Sequence, residues 1–495
     1  MWPPPGQHHY QPPPEPKRRS RLPLLLVGLL LVGAVVAAVL VFRGNGGDDV
    51  AADTDSTSTT VKSRRSSRPG RTVTARSDHE VALSAVQEVE AYWKSAYPAV
   101  TGGVAYQPIQ GGFHPYGPRT DLPPCPGISS YRDVAQNAFY CPEADLVAWD
   151  EDELIAPLRQ QFGELTVGIV FAHEFGHAIQ SRLGITGQAT VTLEQQADCF
   201  AGGWVKAVSD GSMPTSFKAG LGELDAALAG MLLLRDQPGT DPNDPSAHGS
   251  AFDRIGAFKD GFDNGAQACM PYNDDLVSKR LVVLPWGDQA DFDSGGNMAY
   301  DQLVVASVKD LEDYWATVFA QTRKTWDPID DVFPYDPDDE VPTCGGRSGD
   351  TDTYVGAAFY CVEDDFVAWD EPNLMDALYD RAGDFAVATI ISNQYSAAVQ
   401  HRLGESGQPL GLSLQADCLT GTWAASTFLQ DRKNSELSLS PGDLDESVLA
   451  LLNLGAPPKD VERGRSERGS AFQRVSAFRD GFLNGISACA KFTQQ

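Results

Sequence analysis

The chain has 495 residues, eight cysteines and a formal net charge of −29, and 42% of its residues are hydrophobic. This length allows more than one domain, and the acidic balance argues against nucleic acid or another anionic polymer as the ligand of the folded part. Composition alone names no substrate.

The N-terminal region predicts a membrane anchor. Residues 1–21 form a proline-rich tail that ends in a basic cluster, and an uncharged apolar run follows over residues 22–42. A helix needs about 20 such residues to cross a bilayer, and the basic cluster keeps the N-terminus inside the cell. We therefore expect a single-pass cell-membrane protein with extracytoplasmic C-terminal domains. A cleaved signal peptide is the competing interpretation, but this run is longer than a usual signal segment.

A flexible extracytoplasmic linker, rich in glycine, serine, threonine and charge, is predicted for residues 43–77. The domain that follows, residues 78–270, has the pattern of an α+β fold in which helix is dominant. It opens with a helix around Tyr92, continues with short strands at 138–141 and 146–149, and then becomes helical. The last two helices are predicted near 223–234 and 251–269.

A zinc-binding pattern lies in the middle of this domain. His173, Glu174 and His177 form a His-Glu-x-x-His sequence within an apolar segment that predicts a buried helix ending at Gly184. Residues four apart share one helix face, so two imidazoles can bind one ion while the glutamate lies beside a bound water. The alternative, two core histidines and a solvated glutamate, is disfavoured by the spacing.

A third protein ligand is expected from the next helix. In zinc hydrolases with two histidines and one glutamate, this ligand follows the motif helix, and an acid one turn later often orients a ligating histidine. Glu194 is the candidate ligand, and Asp198 follows it by four residues. Taken alone, Glu194 would be an ordinary surface carboxylate, so its assignment depends on this context.

The second half of the chain repeats the first at an offset near 220 residues. Phe139–Asp150 corresponds to Phe359–Asp370, and Gly249–Arg254 corresponds to Gly469–Arg474. The second copy covers residues 298–495 after a linker at 271–297, and each copy is long enough to bury a core. The repeat keeps scaffold residues such as Gln180 but replaces all four proposed chemical groups together, by Asn393, Gln394, Ala397 and Ser413. We expect a catalytically inactive second copy that is structural or recruits substrate.

Two further residues behave differently in the repeat. Asp198 keeps its counterpart, Asp417, so it either pairs with a structural group or is a relic. His248 is replaced by Arg468, although the Gly-Ser-Ala-Phe sequence that follows is kept. Because His248 is lost with the zinc ligands, we predict that it donates a hydrogen bond to the oxyanion formed during hydrolysis. A solvated loop histidine is the alternative.

The cysteines predict disulfides and export to an oxidising compartment. Four cysteines in each copy allow three pairings. We favour the pairing in which one bridge closes a short loop and the other ties the end of the domain to the Glu194 helix. A four-cysteine zinc site is disfavoured because no Cys-x-x-Cys pair is present. The predicted bridges are Cys125–Cys141, Cys199–Cys269, Cys344–Cys361 and Cys418–Cys489.

These motifs, over about residues 78–270, resemble the bacterial neutral zinc metallopeptidases. The resemblance is carried by His173 to His177, by Glu194 to Cys199 and by His248 with the Gly-Ser after it. It implies a zincin-like α+β domain that holds one Zn²⁺ per chain through His173, His177 and Glu194, with Glu174 as catalytic acid and base. The second copy shares the frame but departs at every catalytic position.

The predicted function is therefore hydrolysis of peptide bonds in a peptide or protein substrate by zinc-activated water. Two alternatives stay open. One is a cell-wall peptide amidase with the same zinc chemistry, and the other is a membrane-tethered binding or regulatory protein. No nucleic-acid partner is expected, and the sequence does not identify a partner for the second copy.

Overall fold

The computed structural model describes residues 76–347, 351–454 and 467–493. The predicted tail at 1–21, the predicted membrane run at 22–42 and nearly all of the predicted linker at 43–77 lie outside these residues. Within the described ranges, no helix combines the length and apolar character needed to span a membrane.

The first copy is a helix-dominant α+β unit, as predicted. Its strands form a three-stranded sheet in the order β1-β3-β2, with β1 parallel and β2 antiparallel to β3. The elements are α1 (Asp78–Thr101), β1 (Gly112–Tyr116), β2 (Ala138–Cys141), β3 (Leu146–Asp150), α2 (Ala156–Phe162), α3 (Glu164–Leu183), α4 (Thr190–Ser209), α5 (Leu221–Leu233) and α6 (Ala251–Asn264).

Two features of this copy differ from the sequence prediction. Strand β1 (Gly112–Tyr116) is absent from the sequence prediction, and it tolerates Pro115 because it lies at the edge of the sheet. The last helix was expected to reach Cys269 but ends at Asn264. Gly265 breaks it with a φ of 75°, and a 3₁₀ turn over Ala266–Cys269 follows.

The second copy repeats this architecture, and its sheet has the equivalent order β4-β6-β5. Two short helices lie in the predicted linker, α7 (Asp274–Ser278) and α8 (Gln289–Asp293). The remaining elements are α9 (Tyr300–Gln321), β4 (Asp331–Tyr335), β5 (Ala358–Cys361), β6 (Phe366–Asp370), α10 (Asp376–Ala382), α11 (Asp384–Leu403), α12 (Pro409–Leu429), α13 (Asp443–Asn453) and α14 (Ala471–Asn484).

Helix α3 carries the His-Glu-x-x-His motif and is buried along most of its length against α1, α4 and β2. It comes close to the backbone of α4 at Gly176, where an added Cβ would lie 2.7 Å from the Cα of Ala197. No side chain fits in that space. The glycine therefore lets α4 come near enough to present Glu194 to the two histidines.

All four predicted disulfides are present in the structure. Cys125–Cys141 and its counterpart Cys344–Cys361 close the loop that precedes β2 or β5. Cys199–Cys269 and Cys418–Cys489 connect the middle of α4 or α12 to the turn after the last helix. No free cysteine occurs in the described residues.

The two copies are joined by a reciprocal exchange of carboxylates. The backbone amide of Phe252, at the start of α6, donates to Asp445 on α13 at 2.9 Å. The amide of Phe472, at the start of α14, donates to Asp225 on α5 at 3.0 Å. Phe252 and Phe472 occupy equivalent positions in the two copies, and so do Asp225 and Asp445. Each copy thus caps a helix N-terminus of the other, where a negative charge is favourable.

The same approximate two-fold symmetry governs the apolar contacts between the copies. Phe252 contacts two phenylalanines of α14, and Phe472 contacts their equivalents on α6, with ring centroids 5.1 to 6.2 Å apart: Phe478, Phe482, Phe258 and Phe262. Such reciprocal contacts define a two-fold interface. Most of the buried apolar residues of both copies consequently belong to one continuous hydrophobic core.

We expect Phe472→Ala to lower the free energy of unfolding by about 3 to 5 kcal/mol, because it removes a buried ring from this shared core. The full-length chain should still unfold in one cooperative transition, measured by circular dichroism and tryptophan fluorescence in urea. Leu483→Ala, at a side chain on the same helix that is 49% exposed, is the matched control with little effect. Two separate transitions, with only one shifted by Phe472→Ala, would contradict the shared core.

Candidate metal centre

The structure brings the three predicted zinc ligands together. His173 and His177 lie on α3, and Glu194 lies on α4. One donor atom from each side chain falls within 4.8 Å of the other two. His173 and Glu194 are buried, whereas His177 is partly exposed, so solvent reaches the centre at His177.

The donor distances fit one tetrahedral zinc ion. Nε2 of His173 lies 3.2 Å from Nε2 of His177 and 3.0 Å from Oε2 of Glu194. Nε2 of His177 lies 3.4 Å from Oε1 of Glu194. With zinc bonds of about 2.0 to 2.2 Å, two tetrahedral ligands lie about 3.3 to 3.6 Å apart. All three edges agree with that spacing to within a few tenths of an ångström.

Both imidazoles are oriented through their other nitrogen. Nδ1 of His173 lies 2.8 Å from Oδ1 of Asp198, and Nδ1 of His177 lies 3.0 Å from Oε1 of Gln180. A proton on each Nδ1 leaves the Nε2 lone pair directed at the centre, the arrangement that metal-binding histidines adopt. Gln180 also donates to the carbonyl oxygen of Leu193 at 2.7 Å, which connects α3 to the start of α4.

The electrostatics of the centre favour positive charge. Burial lowers the pKa of His173, but the Asp198 and Glu194 carboxylates outweigh it and raise the pKa to about 10. Burial likewise lowers the pKa of His177, and Glu194 raises it above its usual value. Conversely, the two imidazoles hold the pKa of Glu194 well below its usual value despite burial. A buried cluster that stabilises protons in this way also suits a cation.

Glu174 lies beside the donor set and is not one of its members. Its Oε2 accepts a hydrogen bond from the backbone amide of Tyr140, on β2, at 3.0 Å. Burial raises the pKa of Glu174 above its usual value. The sheet therefore fixes the position of a carboxyl group that is able to take up a proton.

Asp198 has two partners, which explains why it persists in the second copy. Besides His173, it binds Arg254 of α6 in a bidentate ion pair with distances of 2.8 and 3.0 Å. The counterpart Asp417 keeps this pair, with Nε of Arg474 at 3.1 Å. Of the two interpretations of the retained aspartate, the structural pairing is the one observed.

The corresponding place in the second copy is filled by hydrogen-bonded amide and guanidinium groups. Asn393, at the position of His173, donates to Asp417 at 2.8 Å and accepts from Nη1 of Arg468 at 2.9 Å. Ala397 offers no donor atom, and Ser413 is a buried hydroxyl. Within the described part of the chain, no group of three metal-donor side chains forms there.

His248 occupies the loop before α6 and does not belong to the donor set. Its Nδ1 lies 3.3 Å from Oδ1 of Asp236, and its side chain is 51% exposed. The hydrogen bond to Asp236 and the charge of Glu194 raise the pKa of His248. No hydrogen bond joins its ring to His173 or Glu174 in the described structure, so its predicted role depends on a substrate.

Sequence reasoning missed two residues of this centre. The sequence indicates only a scaffold role for Gln180, because the second copy keeps a glutamine, Gln400, at this position. In the structure, its side-chain oxygen lies at hydrogen-bond distance from His177. Arg254 was noted only as part of a repeated segment. Its presence in both copies beside a retained aspartate was the available signal for a buried ion pair.

Comparison with known proteins agrees with this geometry. The profile of the family described as "Putative neutral zinc metallopeptidase" matches residues 24–271 and 287–492. The chain belongs to this family and contains two tandem copies of its domain.

Curated relatives include the uncharacterized proteins YpfJ of Escherichia coli (strain K12) and Rv2575 of Mycobacterium tuberculosis (strain H37Rv). Over the matched region, each relative is 32% identical to this chain. That region covers 26% of this chain and 52% of the relative. The chain therefore spans about half the length of these relatives. No solved structure matches it.

We expect Gln180→Met to weaken zinc binding about 10- to 100-fold, because His177 loses the group that fixes its ring. Competition with a chromophoric chelator on the full-length chain measures this affinity. Gln400→Met is the matched control: Gln400 makes the equivalent hydrogen bond to Leu412 at 2.8 Å, but Ala397 stands in place of the histidine that Gln180 orients. Equal zinc affinities for the two variants would show that Gln180 acts only as scaffold.

Proposed function

We propose that this protein is a membrane-anchored, extracytoplasmic zinc metallopeptidase that hydrolyses peptide bonds at its first copy. The observation that carries this proposal is the meeting of His173, His177 and Glu194 at zinc-ligand spacing, with Glu174 beside them. Both histidines are already oriented by their Nδ1 partners. Family membership supports the same class of reaction.

The residues of the first copy divide the work of hydrolysis. His173, His177 and Glu194 would hold Zn²⁺, which when bound lowers the pKa of a water molecule and polarises a carbonyl group. Glu174 takes the proton of the attacking water and delivers it to the leaving amine. Its Oε2 is engaged by the amide of Tyr140, which leaves Oε1 for proton transfer. Burial raises the pKa of Glu174, which makes its carboxylate a stronger base for taking up the proton of water.

We assign His248 the role of donating a hydrogen bond to the negative charge that develops on the substrate carbonyl oxygen. The repeat supports this position, since Arg468, its counterpart, reaches the residue that replaces His173. The hydrogen bond that His248 donates to Asp236 favours the protonated imidazole, which is the stronger donor. A half-exposed loop side chain also has room to turn towards a bound substrate.

The proposed location follows from the N-terminal sequence and the cysteines. The apolar run at 22–42 has the length of a membrane helix. Four disulfides with good geometry suit an oxidising compartment outside the cytoplasm. Peptides or proteins at the cell surface are then the substrates within reach.

We assign the second copy a supporting role in this activity. Asp445 caps the start of α6 through the amide of Phe252 and lies 3.2 Å from Arg235. Two residues further along α6, Arg254 holds Asp198, which in turn orients His173. The inactive copy therefore supports the helix that fixes one metal ligand.

We expect the full-length protein to bind one zinc ion per chain, measured by plasma mass spectrometry, and to lose it in His173→Ala.

Glu174→Gln should keep zinc but lower peptide hydrolysis about 10²- to 10⁴-fold, because no carboxylate remains to move the proton. His248→Ala should also keep zinc and lower kcat about 10²-fold. Two zinc ions per chain in the wild type would mean that the second copy binds metal after all.

Substrate panels distinguish the remaining alternatives. Cleavage of casein-like proteins supports a peptidase, whereas cleavage restricted to wall-derived stem peptides supports an amidase acting on the cell wall. If Glu174→Gln leaves the physiological effect of the protein intact, the binding or regulatory alternative replaces the enzymatic one.

Asp445→Ala should reduce zinc affinity and kcat/KM about 10-fold or more, because α6 loses its cap next to Arg254. Asp225→Ala is the matched control, since it removes the equivalent cap from α14. Both variants should lose about 1 kcal/mol of stability in urea unfolding. Equal losses of zinc affinity in both would indicate a general effect of the interface and refute a specific support of the first site.

A further inference from the structure

A second group of metal-donor side chains lies away from the zinc centre, in the second copy. Asp384 begins α11, and Asp443 and Glu446 lie in the first turn of α13. One oxygen from each of the three carboxylates falls within 4.8 Å of the others. Asp291 of α8 adds a fourth carboxylate, bound to the hydroxyl of Ser440 at 2.7 Å. We call these four acids the acidic junction.

Two carboxylate oxygens of the acidic junction are buried without a hydrogen-bond donor. Asp384 and Asp443 are only 6% and 3% exposed. In each, Oδ2 accepts a backbone amide at 2.8 Å, from Met298 and Ser440 respectively. The Oδ1 atom of each has no hydrogen-bond partner. Native proteins rarely leave a buried carboxylate oxygen in this state, because its lost hydration is not replaced.

The charge of the acidic junction is also uncompensated. No lysine, arginine or histidine in the described residues forms an ion pair with any of its four acids. Glu446 accepts the amide of Phe385 at the start of α11, and two helix N-termini supply about half a positive charge each. Burial raises the pKa of Asp384 to about 6 and that of Glu446 to about 8, and mutual repulsion adds to both shifts.

In the first copy, arginines neutralise the carboxylate at the position of Asp384. Glu164, the counterpart of Asp384, is bound by Arg159 at 2.9 Å and by Arg76. The repeat puts Tyr379 at the position of Arg159 and Met298 at that of Arg76. It also puts Glu446 where the first copy has Ala226. The second copy has therefore lost two positive charges and gained a carboxylate at one place.

We propose that the acidic junction binds a Ca²⁺ ion. All the available donors are oxygens, most of them carboxylates, from segments that are distant in sequence. Hard oxygen ligands exclude a preference for zinc, and calcium accepts the irregular carboxylate geometries that magnesium does not. The two oxygens without donors are the ligands that such an ion would satisfy.

Bound calcium would join three segments of the protein. Asp291 belongs to the connection between the copies, Asp384 begins the helix equivalent to α3, and Asp443 begins α13. The same turn of α13 contains Asp445, which caps α6 of the first copy. The ion would thus stabilise the second copy at the point where it supports the first.

The test uses the full-length, zinc-loaded protein after removal of calcium with a selective chelator. Equilibrium dialysis with radioactive Ca²⁺ should show one ion per chain, and thermal unfolding should shift to higher temperature when Ca²⁺ is added. Asp443→Asn should lower calcium affinity by at least about 100-fold, since a charged ligand is lost. Its zinc content should stay at that of the wild type.

The controls separate calcium binding from loss of folding. Without calcium, Asp443→Asn should unfold at the same or a higher temperature than the wild type, because the substitution relieves repulsion between carboxylates. Glu223→Gln, at the counterpart of Asp443 in the first copy, should leave calcium binding unchanged. The proposal is overturned if wild-type protein binds no calcium, if Asp443→Asn binds it equally well, or if magnesium binds as tightly. None of these readouts depends on peptidase activity.

Discussion

The carboxylate of Asp198 connects the metal centre to the packing of the whole protein. It accepts a hydrogen bond from Nδ1 of His173 on one side and forms an ion pair with the guanidinium of Arg254 on the other. A buried carboxylate between two such partners stays charged and fixed in place, since both interactions depress its pKa against the effect of burial. Through Arg254, the orientation of His173 depends on α6 and on the contacts that hold α6 in place.

Helix α6 packs mainly against α4 of its own copy, and the second copy holds its N-terminal end. The exchange of Asp225 and Asp445 between helix N-termini, together with the crossed phenylalanine contacts, makes the two copies a permanent two-fold pair within one chain. Loss of the metal ligands from one copy leaves this interface intact, because none of the exchanged residues belongs to the donor set. The second copy is therefore free to change its polar interior while the frame persists.

The second copy has made such changes at two places. At the site equivalent to the zinc centre, Asn393 and Arg468 replace metal donors with direct hydrogen bonds. At the start of α11, three carboxylates replace an arginine-paired glutamate. The first change removes the candidate metal donors, and the second gathers carboxylates that no described lysine, arginine or histidine pairs with. One scaffold thus carries different ionic chemistry in its two halves.

The sequence by itself determined the local chemistry. Helical spacing places His173 and His177 on one face, and the order of ligands in two-histidine, one-glutamate zinc hydrolases indicates Glu194. Comparison of the repeats supports Glu194 and also indicates His248, whose role stays a prediction. The spacing of the cysteines was also enough to choose the pairing that the structure contains. These inferences succeed because they concern residues near in sequence, or one copy laid against the other.

Only the tertiary structure decided which groups meet across helices. The Gln180 bridge, the Arg254 pair, the reciprocal Asp225 and Asp445 caps and the acidic junction all join residues from separate elements. A sequence periodicity reports which face of a helix is buried, but not which partner that face meets. Strand β1 escaped prediction for the same reason, since Gly112–Tyr116 becomes a strand only through its pairing with β3.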